Sequence, residues 1–186
     1  EQDPEDWYKA TIKCFVRIKK NKPKEFSAVR SLGISGQMHG ATLIDKNNKI
    51  LRPCILWNDT RSMQQCIEME KKCSSLRELS GNIAMPGFTS PKILWLKENE
   101  KEIFKNIYKV LLPKDYLRFR LSNSYYTDMS DASGTLWLNV KERKWSNELL
   151  DLTQLSINQM PNLVEGSDKT PSVCKKLANE IGFILV

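Results

Sequence analysis

No stretch of the 186 residues approaches the apolar run that a membrane-spanning helix requires. No secretory leader is visible either. The chain opens on "EQDPEDW", acidic and polar, where a leader would be basic and then apolar. It also lacks a starting methionine, and the expectation is a fragment or a processed product. Glycine loops for nucleotides are missing: Gly33, Gly36 and Gly40 fit neither G-x-x-x-x-G-K-[ST] nor G-x-G-x-x-G. The G-x-S-x-G turn of a serine hydrolase is absent as well. No two of Cys14, Cys54, Cys66, Cys73 and Cys174 have C-x-x-C spacing, and the single histidine, His39, cannot complete a Cys/His zinc site. The odd cysteine count and scattered spacing point to a reduced, cytoplasmic compartment. Internal repeats and low-complexity tracts are also missing.

What is present describes an ordinary globular protein. Hydrophobic residues make up 40% and charged residues 27% of the chain, enough for a real core. The net charge is +7. Attraction to phosphates or nucleic acid is one reading of that excess. The lysines, however, are spread along the chain and mixed with glutamate, as in "KENEKEIFKNIYK". A solvated surface is therefore favoured, and no nucleic-acid partner is expected.

Residues 3–22 read as a helix, with Asp3 as N-cap, Pro4 in the first position and Glu5 and Asp6 at the positive end of the dipole. Trp7, Cys14 and Ile18 form its apolar stripe. "SAVRSLGIS" (27–35) reads as a strand, and 41–57 as a hairpin that turns at "KNNK" and bends at Pro53. A second helix runs over 58–79, with Met63, Cys66, Ile67, Cys73 and Leu76 on its apolar side. "SGNIAMPGFTS" is a loop by composition. Ser90 and Pro91 cap a third helix, and "KEIFKNIY" makes a short one. "KVLLP" is a buried strand, and Asp115 starts a further helix. "YYTDMSDASGTLWLNV" is a loop between β-like segments. Ser146 caps another helix, Gly182 closes the last one, and "FILV" opens a final buried strand. Strands alternate with helices, so the class is α/β.

Three segments carry candidate chemistry. In "SGQMHGATLID" the two glycines around His39 could give a ligand close approach, or could simply make a turn bearing an exposed imidazole. "WNDTR" places Trp57, Asn58, Asp59 and Arg61 at a strand-to-helix transition. It suits a cap and a core tryptophan, or a polar pocket at the carboxyl end of a strand. "DMSDASGT" carries Asp128 and Asp131. Two carboxylates invite a metal or acid–base role, but local hydrogen bonding in a turn is favoured.

Taken in order, "EQDPEDWYKA", "GISGQMHGATLID", "LRPCILWNDTR", "SGNIAMPGFTSPKILWLKENE", "VLLPKDYLRFRLS", "TDMSDASGTLWLNVKERKWSNELL" and "QMPNLVEGS" resemble successive blocks of the FGGY carbohydrate kinase family. The resemblance spans about residues 1–168 and is nearest to the branch that phosphorylates xylulose. Glycerol kinases of the family carry an Arg-Glu pair where this chain has Met38 and His39. The resemblance implies a fold of two ribonuclease-H-like domains, the actin-like ATPase and sugar kinase architecture. The chain would be most of the first domain, incomplete at both ends.

It also implies the reaction of MgATP with D-xylulose to give D-xylulose 5-phosphate and ADP. The implied substrate residues are Gln37, Met38 and His39, then Trp57, Asn58 and Asp59, then Gly87 and Phe88. His39 would offer hydroxyls both a donor and an acceptor. The family's phosphate-binding Asp-x-Gly-Thr hairpin is expected upstream of Glu1. Its general-base aspartate is expected downstream of Val186, and its nucleotide domain further on. No catalytic residue and no metal ligand is therefore assigned to this chain, Asp128 and Asp131 included. The partners implied are D-xylulose, ATP with Mg²⁺, and a second copy in a homodimer. A ribulose, gluconate or glycerol kinase, or a sugar-binding fragment without catalysis, stays open. Without its leading strands the isolated chain is expected to be poorly soluble.

Overall fold

The computed structural model describes residues 1–183. The strand expected from "FILV" lies, past Phe183, outside the described residues. In chain order the helices are α1 (Pro4–Asn21), α2 (Pro23–Ser27), α3 (Met63–Lys72), α4 (Leu76–Ser80) and α5 (Thr89–Asn99). They continue with α6 (Lys101–Lys105), α7 (Pro113–Ser122), α8 (Met129–Ser133), α9 (Asn147–Asp151) and α10 (Lys175–Ile181). The strands are β1 (Thr42–Ile44), β2 (Lys109–Leu111), β3 (Tyr126–Asp128), β4 (Leu138–Asn139), β5 (Lys144–Trp145) and β6 (Asn162–Val164). β1 pairs antiparallel with β2, Leu43 facing Val110. β3 pairs parallel with β6, and β4 antiparallel with β5.

Local capping rules placed several helix ends. The Asp3 carboxylate accepts from the Glu5 amide, with Pro4 at the first position, as expected. The Ser146 hydroxyl accepts from the Leu149 amide at the start of α9, and Gly182 closes α10 in the left-handed conformation. Asp115 stands in the first turn of α7, where its carboxylate accepts the Leu112 amide.

Several expectations need correction. The helix expected over 58–79 is two, α3 and α4, broken at Cys73, and α5 starts at Thr89 with Phe88 as its N-cap, so Ser90 and Pro91 lie inside it. Residues 27–35 form no strand: Ser27 ends α2, Ala28 caps it, and among the described residues no ladder pairs with 29–35. The second hairpin arm survives only as isolated bridges, Ile44 to Ile50 and Ala41 to Ile55, because Pro53 interrupts it; β1 pairs with β2 along its other edge. The packed stripe of α1 does not include Cys14 and Ile18, which are exposed; the partly buried Tyr8, Ile12 and Phe15 pack on Leu121, Leu177 and Ile181. α7 and α10 dock on that side and decide which of two apolar stripes is covered.

The main core joins Leu43, Ile55, Met69, Leu76, Ile93, Leu96 and Trp137. Each such aliphatic side chain contributes about 1.5–3 kcal/mol by leaving water. Cys66 and Cys73 are buried free thiols, as expected, while Met63 and Ile67 are exposed. α5 lies inside: Thr89 to Leu94 are all buried. That placement brings its first turn under the His39 loop.

Candidate functional site

His39 sits at a backbone φ of 63°, in the left-handed region that costs a non-glycine residue about 1–3 kcal/mol and recurs at functional sites. The turn is held from several sides. Gly40 has no room for a side chain, since a Cβ would lie 2.6 Å from Pro113 Cγ and 2.9 Å from Cys54 Sγ. The His39 carbonyl accepts from Thr89 Oγ1 at 3.1 Å and from Lys92 Nζ at 3.0 Å.

The imidazole is half-buried. Nδ1 lies 2.8 Å from the Gly134 carbonyl oxygen. A carbonyl can only accept, so Nδ1 carries the proton. Burial lowers the His39 pKa below the ordinary 6.5, with Lys92 in the same direction, against the Gly134 bond and Asp131. The ring is therefore neutral at neutral pH, and Nε2 keeps a lone pair. The ring also meets the Phe88 ring edge-on, centroids 4.6 Å apart. Gly134 must be glycine for this contact: a Cβ there would overlap Cε1 and Nδ1 of His39.

The other anticipated residues divide into two sets. Gly87 joins the cluster. A Cβ on it would lie 2.6 Å from the Trp57 carbonyl oxygen, so the two backbones touch. Met38, within the loop, and Trp57 are each 55% exposed. Gln37 and Asp59 are engaged by other side chains, and Asn58 makes no side-chain bond among the described residues. The Gln37 amide donates to Gln2 Oε1 at 2.9 Å. Asn58 is exposed. Asp59 accepts two bonds from the Arg61 guanidinium, at 2.9 and 2.7 Å, and this partner holds its carboxyl below the usual range. The donor role expected for His39 also falls away, because its N–H is used on Gly134.

Sequence reasoning missed Thr89, Lys92, Lys114 and Gly134. The first two sit on α5, where a lysine one position after a proline reads as surface. Gly134 lies 95 residues from His39, and no local pattern joins them. Lys114 anchors the floor beside the loop. Its Nζ lies 2.5 Å from Asp115, 2.9 Å from Asp128 and 3.0 Å from Asp131. Burial disfavours the Lys114 charge, but the aspartates overcome it and hold its pKa above the ordinary value. Burial pushes Asp115 up to about 6 even with Lys114 beside it. Asp128 also caps α8, accepting from the Asp131 amide at 3.0 Å, which is the turn role expected for it.

Among the described residues no three acidic, histidine or cysteine side chains converge as a metal ligand set. The three aspartates already surround an ammonium. The residues described thus offer no site for Mg²⁺. Among them, too, no helix is long and apolar enough to cross a membrane.

The family model "FGGY family of carbohydrate kinases, N-terminal domain" matches residues 1–185. A xylulose kinase from Escherichia coli (strain K12) is 47% identical over 186 residues, covering 100% of this chain and 38% of that protein. A xylulose kinase from Klebsiella pneumoniae is 48% identical over 178 residues, 96% of this chain and 36% of its own length. The crystal structure of a xyloylose kinase from Brucella ovis superposes with a TM-score of 0.92 at 50% identity, covering 95% of this chain and 37% of that one. The chain thus spans little more than a third of these relatives, and its mixed α/β fold matches the ribonuclease-H-like sugar kinase architecture. The chain belongs to the FGGY family of carbohydrate kinases, within its N-terminal domain.

Proposed function

We propose that this chain forms the sugar-binding part of an ATP-dependent D-xylulose kinase. One observation carries the reading: the His39 loop, the Gly87–Phe88 loop, the backbone of Trp57 and Gly134 converge on one neutral imidazole. A neutral polyol calls for such a site, with fixed hydrogen-bonding groups, an aromatic wall and close backbone approach. Nε2 of His39 would accept a bond from a ketose hydroxyl, while Nδ1–H keeps the ring oriented. Met38 and Trp57 would form the wall on the exposed side.

His39 orients the sugar in this reading. Phosphoryl transfer is mostly positioning and charge stabilisation, and MgATP, held by the rest of the protein, would supply the phosphoryl group and the charge stabilisation. This chain contributes the positioning. The identity to xylulose kinases over the whole chain supports D-xylulose as the acceptor. Its five free cysteines accord with a reducing, cytoplasmic setting.

The test is a substrate panel on the full-length protein: D-xylulose, D-ribulose, gluconate and glycerol, each with MgATP. D-Xylulose should give the highest kcat/KM. A higher value for any of the other three would refute the choice of sugar. Absence of phosphorylation in all four would refute the kinase reading.

A further inference from the structure

Lys92 is fully buried, an unusual place for an ammonium. Among the described residues no carboxylate lies within ion-pair distance of it. Its Nζ instead donates to two main-chain carbonyls, that of Gly87 at 2.6 Å and that of His39 at 3.0 Å. These belong to the two loops that supply the His39 and Phe88 rings. One side chain on a buried helix therefore ties both walls of the candidate site together.

The geometry explains why an ammonium is suited to this task. The His39 carbonyl takes two donors, Lys92 and Thr89 Oγ1, one for each lone pair. With that oxygen fixed inward by two donors, the His39–Gly40 peptide cannot flip, and the turn that aims the imidazole at Gly134 is held. Gly87 is packed on the Trp57 backbone, so pinning its carbonyl also sets the start of α5 and the Phe88 ring. Lys92 reaches no solvent and so cannot touch a sugar. A hydrocarbon side chain would fill the same space at no cost in desolvation, yet would leave the Gly87 carbonyl without this donor.

We propose that Lys92 is a positioning residue of the sugar site, clamping the His39 and Gly87 carbonyls so that the imidazole and the Phe88 ring keep their mutual geometry. The inference rests on the sugar-site reading above, and its test separates the two. In the full-length protein Lys92→Met removes the donors and keeps most of the stem, and Thr89→Val removes the second donor to His39. Lys92→Met should raise the KM for D-xylulose about tenfold or more, and Thr89→Val about threefold, with the KM for ATP unchanged in both. A merely structural lysine would instead move both KM values together with the melting temperature, and that outcome overturns the proposal. So does a folded Lys92→Met protein with an unchanged sugar KM. If Lys92→Met does not accumulate as folded protein, Thr89→Val decides: an unchanged sugar KM overturns the clamp, and a selective rise supports it. Hydrogen exchange reads the clamp without any sugar. Exchange over residues 37–41 and 85–89 should be faster in the folded variant than in wild type. Unchanged exchange there overturns the clamp whatever the substrate is, whereas faster exchange in a protein inactive on D-xylulose upholds the clamp and refutes only the sugar.

Discussion

Two buried lysines flank the same glycine-bounded loop, and they behave in opposite ways. Lys92, under His39 and Gly87, faces carbonyl oxygens, and burial pushes its pKa down to about 8. Lys114, packed against Gly36, faces Asp115, Asp128 and Asp131, which hold its pKa above the ordinary value. The residue type and the burial are alike, and the charge of the partners differs. Carbonyl dipoles orient an ammonium without compensating its lost hydration, whereas carboxylates compensate it and more. The first arrangement suits a clamp that shapes two loops. The second fixes the ends of α7 and α8 as a rigid floor.

The sharpest way to break this contrast is to remove Lys114. Lys114→Met leaves three carboxylates together without their cation, and the cost should be about 3–5 kcal/mol of stability. Urea unfolding of the full-length protein would measure it, and a loss no larger than that of Lys92→Met would erase the distinction.

Proton linkage sharpens it further. The folded pKa of Lys92 is depressed below the unfolded value of about 10.4, so its contribution is complete above that pH and is lost as pH falls through about 8. Cys54, Asp59 and Arg61 are the charged or titratable groups that act on it. Lys114 is raised, so its contribution is complete below about pH 10.4 and is lost only at higher pH. The stability difference between wild type and Lys92→Met should therefore shift toward wild type by up to about 3 kcal/mol from pH 8 to 10.4. Urea titrations at several pH values would follow it, and a flat difference would contradict the depressed pKa.

Smaller effects are expected from the glycines. Gly134 has a φ that alanine accepts, and the added Cβ would push only the His39 ring. Gly134→Ala should lower kcat/KM for D-xylulose about tenfold, or about 1.4 kcal/mol, with little loss of stability. Steady-state kinetics beside a thermal melt would check this. Gly36→Ala brings a Cβ to 3.3 Å from Lys114 Cβ, a contact that a small shift relieves. Less than about 1 kcal/mol of stability should be lost, and the same melt would detect more.

The sequence made legible what short-range chemistry decides. Asp3 with Pro4, Ser146 and Gly182 each mark a helix end through bonds that reach only a few residues. The Asp128 turn was readable for the same reason. The resemblance of the blocks to FGGY kinases carried the family and brought His39, Gly87 and Phe88 to attention. Long-range choices were hidden. Residues 29–35 have a strand's composition but no neighbour among the described residues. α1 offers two apolar stripes, and only the docking of α7 and α10 selects one. Lys92 reads as a surface lysine until α5 is seen to be internal. Gly134 gives no local sign that it receives the His39 N–H, and Gln37 and Asp59 give none that Gln2 and Arg61 engage them.

The central claim is that His39 orients a ketose in a kinase of this family. The most direct measurement is the KM for D-xylulose of the full-length His39→Ala protein, taken beside its KM for ATP. The sugar KM should rise about tenfold or more while the ATP KM stays within about twofold of wild type. A variant whose sugar KM and kcat match those of wild type would contradict it.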